Sequence, residues 1–363
     1  MTDAYADAGV DTGQADEAVA ALVEVLRAID PGRSRLAVDL PGHYASVLRV
    51  APNLGIALGT DSVGSKVIVA EQAGRFETIG VDCVAMNVND LICVGAEPLA
   101  LLDYLAVERA DPAMLAQIAV GLRAGAEAAG IEIPGGEVCQ IPEVLRGHPS
   151  PLGFDLVGSA FGTVALDAIV DGSAIAPGDA LVGLPASGVH SNGLTLARQA
   201  LLEDGELTFE DRPDELGGAS VADVLLEPTV IYVRAVLALL RSGLRVHGLA
   251  HITGGGLLNL LRIGRGVGYR IEAPLPVPPV FELIARLAEV SRAEMWQVFN
   301  MGCGFVAIVP AEEAAAAATL LAEHHPGTAV IGVVTDAEGR IEVPALAITG
   351  DAGGLRGQEA PDA

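Results

Sequence analysis

Lysine is almost absent from this chain. Of 363 residues only Lys66 is a lysine, and every other long basic side chain is arginine. Aromatics make up 4% of the residues, so large aromatic platforms for stacking bases are not a feature of the chain. Positive charge is scarce against 47 Asp and Glu, and the net charge of −26 repels nucleic acid and anionic membrane surfaces. The four cysteines, Cys83, Cys93, Cys139 and Cys303, form no CxxC pair, which excludes a zinc ribbon and suits buried thiols in a reducing compartment. No apolar run approaches a membrane span, and the acidic start Met1–Asp7 lacks the basic and apolar regions of a secretion signal. A soluble, cytoplasmic protein is expected.

The one lysine closes a glycine-rich loop, Gly59-Thr-Asp-Ser-Val-Gly-Ser-Lys66. Glycines let backbone N–H groups approach an anion closely, an ammonium suits phosphate oxygens, and Asp61 offers a hard oxygen ligand for Mg²⁺. The spacing is not that of a P-loop, where lysine directly follows the second glycine, and a purely structural turn fits the same residues. Elsewhere, apolar periodicity predicts helices over Asp16–Ile29, Val81–Val94, Asp111–Gly130, Gly193–Leu202, Pro228–Ser242 and Glu312–His324. Strands are expected at Leu54–Gly59, Ala100–Val107, Phe154–Val164 and Ala180–Leu184. This alternation predicts an α/β (α+β) protein of two domains, residues 1–170 and 171–349, with a mobile tail over 350–363.

Polar clusters interrupt the apolar segments. Asn87 and Asp90 lie three apart on a helix, where they could face a metal–phosphate complex or simply water. Pro134-Gly-Gly-Glu137 reads as a tight turn ending in an acid. Ser187-Gly-Val-His190-Ser191-Asn192-Gly193 precedes a helix whose free N–H groups could take an anion, although ordinary capping by Ser191 or Asn192 is equally served. His247 and His251 are four apart, but without the glutamate of HExxH, so zinc is disfavoured. His251-Ile-Thr253-Gly254-Gly255-Gly256 better suits a loop closing on a substrate, with His251 moving a proton or touching phosphate. Phe299-Asn300-Met-Gly302 is a further glycine-spaced turn.

In their order these segments resemble the phosphoribosylformylglycinamidine cyclo-ligase family, also called aminoimidazole ribonucleotide synthetase, of purine biosynthesis. The likeness begins at Tyr5-Ala-Asp-Ala-Gly-Val-Asp11 and runs through the lysine loop, similar to the family's GTDGVGTK, and through Thr78–Leu91. Gly95-Ala-Glu-Pro98, Leu102-Asp-Tyr104, Gly135-Gly-Glu137, Ser187–Gly193, Glu227-Pro-Thr-Val-Ile-Tyr232, His251–Gly256 and Phe299–Gly302 follow.

The resemblance implies an ATP-dependent ring closure of formylglycinamidine ribonucleotide to aminoimidazole ribonucleotide. It implies two α/β domains and a homodimer in which N-terminal domains pair into a β-barrel. It also implies that Gly59, Thr60, Asp61, Gly64, Ser65, Lys66, Asn87 and Asp90 serve ATP, that Lys66 meets its phosphates, and that Asp61 and Asp90 hold Mg²⁺. Glu137 would assist at the metal or amidine. His190, Ser191, Asn192, Gly254, Gly255 and Asn300 would line the substrate side, and His251 and Thr253 the reacting end.

The chain also departs from the family pattern. GGETAEMPG is replaced by Gly135-Gly-Glu-Val-Cys-Gln-Ile-Pro142, a glycine-rich GGFG segment by Asp39-Leu-Pro-Gly-His-Tyr44, and a glycine of the lysine loop by Ser62. These changes fit a divergent cyclo-ligase, a paralogue activating another amide, or a non-catalytic nucleotide-binding protein. Selenophosphate synthetases need an early reactive cysteine, and none precedes Cys83.

Overall fold

In the first half of the chain, burial alternates residue by residue along Phe154–Ala165, as expected of a strand with one covered and one open face. The computed structural model describes residues 12–357, so the Tyr5–Asp11 motif and the last six residues lie outside the described residues. Helix α1 (Thr12–Arg27) leads to β1 (Ser46–Ala51), β2 (Leu54–Ser62), α2 (Lys66–Ala73), α3 (Ile79–Cys93), β3 (Glu97–Val107), α4 (Pro112–Ala129), β4 (Glu132–Gln140) and β5 (Phe154–Ala165). The strands form one sheet in the order β1-β2-β5-β3-β4, antiparallel except for the β3–β4 pair.

Helix α3 lies on this sheet against β2 and β5, with α4 packed beside it. The two helices meet at glycines: a Cβ on Gly80 would stand 2.1 Å from the Leu122 nitrogen, and one on Gly121 would stand 2.4 Å from the Glu77 carbonyl oxygen. Only a bare backbone permits that approach, and it seats α3 flat on the strands. Helix α4 is bounded as its sequence predicts, by Asp111 accepting from the Ala113 and Met114 amides and by left-handed Gly130.

The second half contributes α5 (Leu194–Arg198), α6 (Val221–Leu226), α7 (Val233–Arg241), α8 (Pro279–Leu287), α9 (Arg292–Val298) and α10 (Ala314–Ala322). Its strands are β6 (Ala180–Pro185), β7 (Gly248–His251), β8 (Gly268–Ile271), β9 (Cys303–Val309), β10 (Ala329–Thr335), β11 (Ile341–Val343), β12 (Ile348–Asp351) and β13 (Gly354–Gly357). They form an eight-stranded mixed sheet, β13-β12-β11-β8-β10-β6-β9-β7. β9 is buried at every position, which explains its unbroken apolar run.

Several sequence expectations are revised. Residues 350–357, expected as the start of a mobile tail, form the β12–β13 hairpin, because Leu355 is buried and its amide donates to Gln297 Oε1 at 2.9 Å. Pro134-Gly-Gly-Glu137 is not a turn but the middle of edge strand β4. Gly136 is required there because a Cβ would fall 2.3 Å from Asp103 Oδ1. The helix expected at Pro228–Ser242 starts only at Val233, since side chains of the first half hold residues 227–232 out of it. The apolar stripe of α1 at Leu22, Val25 and Leu26 is more than half exposed rather than packed.

Candidate active site

Four segments converge where the two halves meet. Asp61 stands near the end of β2, and Gly64 and Ser65 in the turn after it. Ser191 Oγ donates to the Val63 carbonyl oxygen at 2.8 Å, and Thr195 Oγ1 lies 3.2 Å from Ser65 Oγ, so the Ser187–Gly193 loop faces the lysine loop. Asn192 in turn meets Gly254, whose added Cβ would lie 3.2 Å from Asn192 Oδ1, and its amide reaches Met86 Sδ at 3.9 Å. Asp90, on the same helix as Met86, lies 2.8 Å from His251 Nδ1 through its Oδ1. Thr60, Gly64 and Gly254 are exposed around this junction, while Asp61, Asp90, Ser65, Asn192, Thr253 and Gly255 are half-buried.

The electrostatics suit a cation. Burial and the neighbouring Asp90 carboxylate push the Asp61 carboxyl up, against the pull of the Ser62 amide, His251 and Arg262. Asn87 donates through Nδ2 to the Asp61 carbonyl oxygen at 3.2 Å and to the Cys83 carbonyl oxygen at 2.9 Å, which leaves its buried Oδ1 without a partner. The Asp61 and Asp90 carboxylates are hard-oxygen donors, and Asp90 lies close enough to Asp61 to raise its pKa. Among the described residues no group of three His, Cys, Asp or Glu side chains is placed to hold a metal.

Other expected site residues take different parts. Lys66 is fully buried, with its ammonium 2.9 Å from each Asp82 carboxylate oxygen and 2.7 Å from the Glu227 carbonyl oxygen. It therefore offers no open face to a phosphate. Burial pulls its pKa down and pushes that of Asp82 up, and their contact opposes both shifts. His251 is also fully buried and contacts Asp90, so it orients that carboxylate and offers no open face of its own to a bound substrate.

His190 is buried at φ 61°, accepts the Ser187 amide on Nε2, and is held neutral chiefly by burial, with His251 and Lys66 nearby acting in the same direction. Asn300 donates to the Gly188 carbonyl oxygen and accepts the Gly302 amide, each at 2.8 Å, so it braces the substrate-side loop from behind.

Glu137 is kept apart by strand alternation. Ser62, Val157, Tyr104 and Glu137 form one cross-strand row, whereas Asp61 aligns with Gly158, Asp103 and Gly136 in the next. Adjacent rows point to opposite faces, so Glu137 faces away from α3, on the face opposite Asp61. Its backbone is also roughly 14 Å from that of Ser62, three strand spacings away.

Some participants escaped the sequence reading. Arg262 stacks 4.2 Å over the Tyr44 ring, donates to the Gly42 and His43 carbonyl oxygens, and lies close enough to Asp61 to lower its pKa. Nothing in its local sequence marks it. Asp82 and Asn89 carry a faint signal, being polar residues seven apart on the largely apolar helix that also bears Asn87 and Asp90. A cavity of about 620 Å³ between α4 and β4 is lined by Leu105, Ile118, Leu122 and Val138 and includes none of the converging residues.

Residues 42–164 match the family model described as AIR synthase related protein, N-terminal domain, and residues 176–343 match its C-terminal counterpart. A phosphoribosylformylglycinamidine cyclo-ligase of Thermococcus gammatolerans is 47% identical over 324 residues, covering 88% of this chain and 92% of that protein. The chain belongs to the phosphoribosylformylglycinamidine cyclo-ligase family. Another cyclo-ligase of this name, from Methanothermobacter thermautotrophicus, is 43% identical over 344 residues, 94% of this chain and 97% of its own.

Cyclo-ligase family membership agrees with the two-sheet architecture. Hydrogenase maturation protein HypE in complex with ATP superposes with a TM-score of 0.58 at 23% identity, covering 83% of each chain. AaThiL complexed with AMPPCP and TMP gives 0.56 at 16% identity, covering 84% of this chain and 88% of that one. At those identities the two structures establish a shared fold alone.

Proposed function

We propose that this chain closes the imidazole ring of aminoimidazole ribonucleotide in purine biosynthesis, in the cytoplasm, using ATP. The observation that carries this reading is the likeness to named cyclo-ligases over nearly the whole chain, at 47% identity. In the reaction, the formyl amide oxygen of formylglycinamidine ribonucleotide attacks the γ-phosphorus of ATP and ADP leaves. The amidine-side nitrogen then attacks the activated carbon, the C–O bond breaks, and phosphate departs as the ring forms. Phosphoryl transfer of this kind depends on positioning and charge neutralisation more than on covalent help from the protein.

Residues 1–170 are read as the ATP-binding and dimerisation domain, and residues 171–349 as the domain completing the substrate site. The end of β2 and the short turn after it, ending at Ser65, would present backbone amides to the nucleotide phosphates, with Thr60 and Gly64 exposed for that contact. Asp61 and Asp90 would hold Mg²⁺. When bound, the ion neutralises charge developing on the phosphate oxygens. His251 fixes the Asp90 carboxylate from behind through the 2.8 Å contact. Ser191, Asn192, Thr253, Gly254 and Gly255 form the opposite wall, where the substrate's ribose phosphate and amidine would lie. His190 and Asn300 support that wall without touching the substrate.

A homodimer through the open face of the first sheet completes the reading. Leu102 is 40% and Tyr104 41% exposed on that face, beside half-buried Val157 and Phe161. Burying this apolar surface against a second copy favours association. Sedimentation velocity of the purified protein reads it directly, and a monomer at micromolar concentration removes it.

The activity is tested by incubating the protein with ATP, Mg²⁺ and formylglycinamidine ribonucleotide. Aminoimidazole ribonucleotide should appear with one ADP and one phosphate per ring. ATP binding with no ring product would place the chain on another substrate.

A further inference from the structure

The segment Glu227-Pro-Thr-Val-Ile-Tyr232 connects α6 to α7 in the second half of the chain, yet the first half holds its backbone. Lys66 Nζ donates to the Glu227 carbonyl oxygen at 2.7 Å. Asp82 Oδ1 accepts both the Thr229 amide, at 2.8 Å, and Thr229 Oγ1, at 2.7 Å. Asn89 Nδ2 donates to the Val230 carbonyl oxygen at 2.8 Å, and Asn89 Oδ1 accepts the Tyr232 amide at 3.0 Å.

Asp82 and Asn89 are two turns apart on α3, so they share one face and stand about 10 Å apart along its axis. The three residues from Thr229 to Tyr232 span up to about 10 Å of chain, so the two grips match the peptide they hold. Asp82, Asn89, Lys66 and Thr229 are all buried, and the Asp82–Thr229 and Asn89–Tyr232 bonds are shielded from water.

The same helix turn continues to the reaction site. Asn89 Nδ2 is 3.5 Å from His251 Nε2, and the next residue, Asp90, is 2.8 Å from His251 Nδ1. Asp90 belongs to the first half and His251 to β7 of the second, so their contact exists only while the two halves keep one register.

We infer that Asp82 and Asn89 form a peptide clamp that sets this register, with Lys66 neutralising Asp82 inside it. Asp82, Asn89 and Thr229 are positioning residues: they fix Asp90 against His251 and touch neither ATP nor substrate. This inference rests on Asp90 belonging to the reaction site as read above.

The test compares Asn89→Ala, Thr229→Val and Thr229→Ser with the wild type in three measurements: ring-closure kcat, the Kd of ATP measured without Mg²⁺ so that it does not depend on Asp90, and hydrogen exchange of the Tyr232 amide. Misplacing a reacting group by about 1 Å costs on the order of 100-fold in rate. Asn89→Ala should therefore lower kcat roughly 100-fold, accelerate exchange at Tyr232, and leave the ATP Kd within about threefold. Thr229→Val removes one hydrogen bond at nearly constant shape and should lose about tenfold in kcat, whereas Thr229→Ser restores the hydroxyl and the rate.

A kcat within twofold of wild type, with the Tyr232 amide freed, would reduce the clamp to a merely structural contact and overturn the inference. A fall in ATP affinity parallel to kcat would also overturn it, by placing these residues on the nucleotide. If Asn89→Ala does not fold, Thr229→Val decides on the same criteria. A wild-type protein without ring closure refutes the function instead. Exchange then decides the clamp: joint loss of protection at Tyr232 and in the β7–β9 pairing supports it, and retained β7–β9 protection overturns it.

Discussion

Replacing Lys66 with methionine should destabilise this protein severely without opening a cavity. Methionine fills most of the volume of the lysine stem, so packing around α2 is largely kept. What disappears is the ammonium, which lies 2.9 Å from both oxygens of Asp82 in a site with no solvent exposure. Thr229 still donates two hydrogen bonds to Asp82, but the Glu227 carbonyl oxygen loses its donor and a buried carboxylate loses its counter-charge. Breaking a buried pair in this way costs about 3–5 kcal/mol, a large part of the roughly 5–15 kcal/mol that holds a domain folded.

Urea denaturation of Lys66→Met and wild type at pH 8 gives the difference. The pH dependence supplies a second signature. Without Lys66, burial holds the Asp82 carboxyl above its unfolded value, so the folded variant binds a proton more readily than the unfolded chain. The deficit should therefore shrink as pH falls from 8 toward 5 and be complete at alkaline pH. A loss below about 1 kcal/mol at pH 8 would refute the assignment of Lys66 as a buried counter-ion and return it to the phosphates.

Asp90→Asn should raise the Mg²⁺ concentration needed for half-maximal turnover by tenfold or more, since one of two carboxylates is lost, and an unchanged Mg²⁺ titration removes Asp90 as a ligand. The His43 ring is partly buried beside Arg262, and desolvation with that cation lowers its pKa from 6.5 to about 4. Between those values the unfolded chain takes up a proton that the folded one refuses, so stability should fall by about 2–3 kcal/mol as pH drops from 6.5 to 4. His43→Asn, which keeps an acceptor for the Tyr44 amide, should flatten that part of the pH–stability curve, and an identical slope would refute it.

Much of the fold is written locally. Asp111, Pro112 and Gly130 bound α4 by capping chemistry that acts within a few residues, so its ends could be read directly. The unbroken apolar run of β9 and the alternation along β5 likewise record how many faces of each strand are covered. The delay of α7 to Val233 was not legible, because the partners holding Thr229 and Tyr232 lie about 140 residues earlier in the chain. The β12–β13 hairpin was missed for the same reason: its glycine-rich sequence is ordered by contact with Gln297, far from it in sequence.

The site divides in the same way. Sequence alone determined the family, because residue types in fixed order carry that likeness, and it singled out Asp61 and Asp90, which the fold brings close enough for one to raise the other's pKa. Only the tertiary structure decided which polar groups face the open junction and which are spent inside it. Burial and pairing are properties of neighbours brought together by folding. They turned Lys66 into the counter-ion of Asp82 and His251 into the support of Asp90, and strand alternation turned Glu137 toward the opposite face of the sheet.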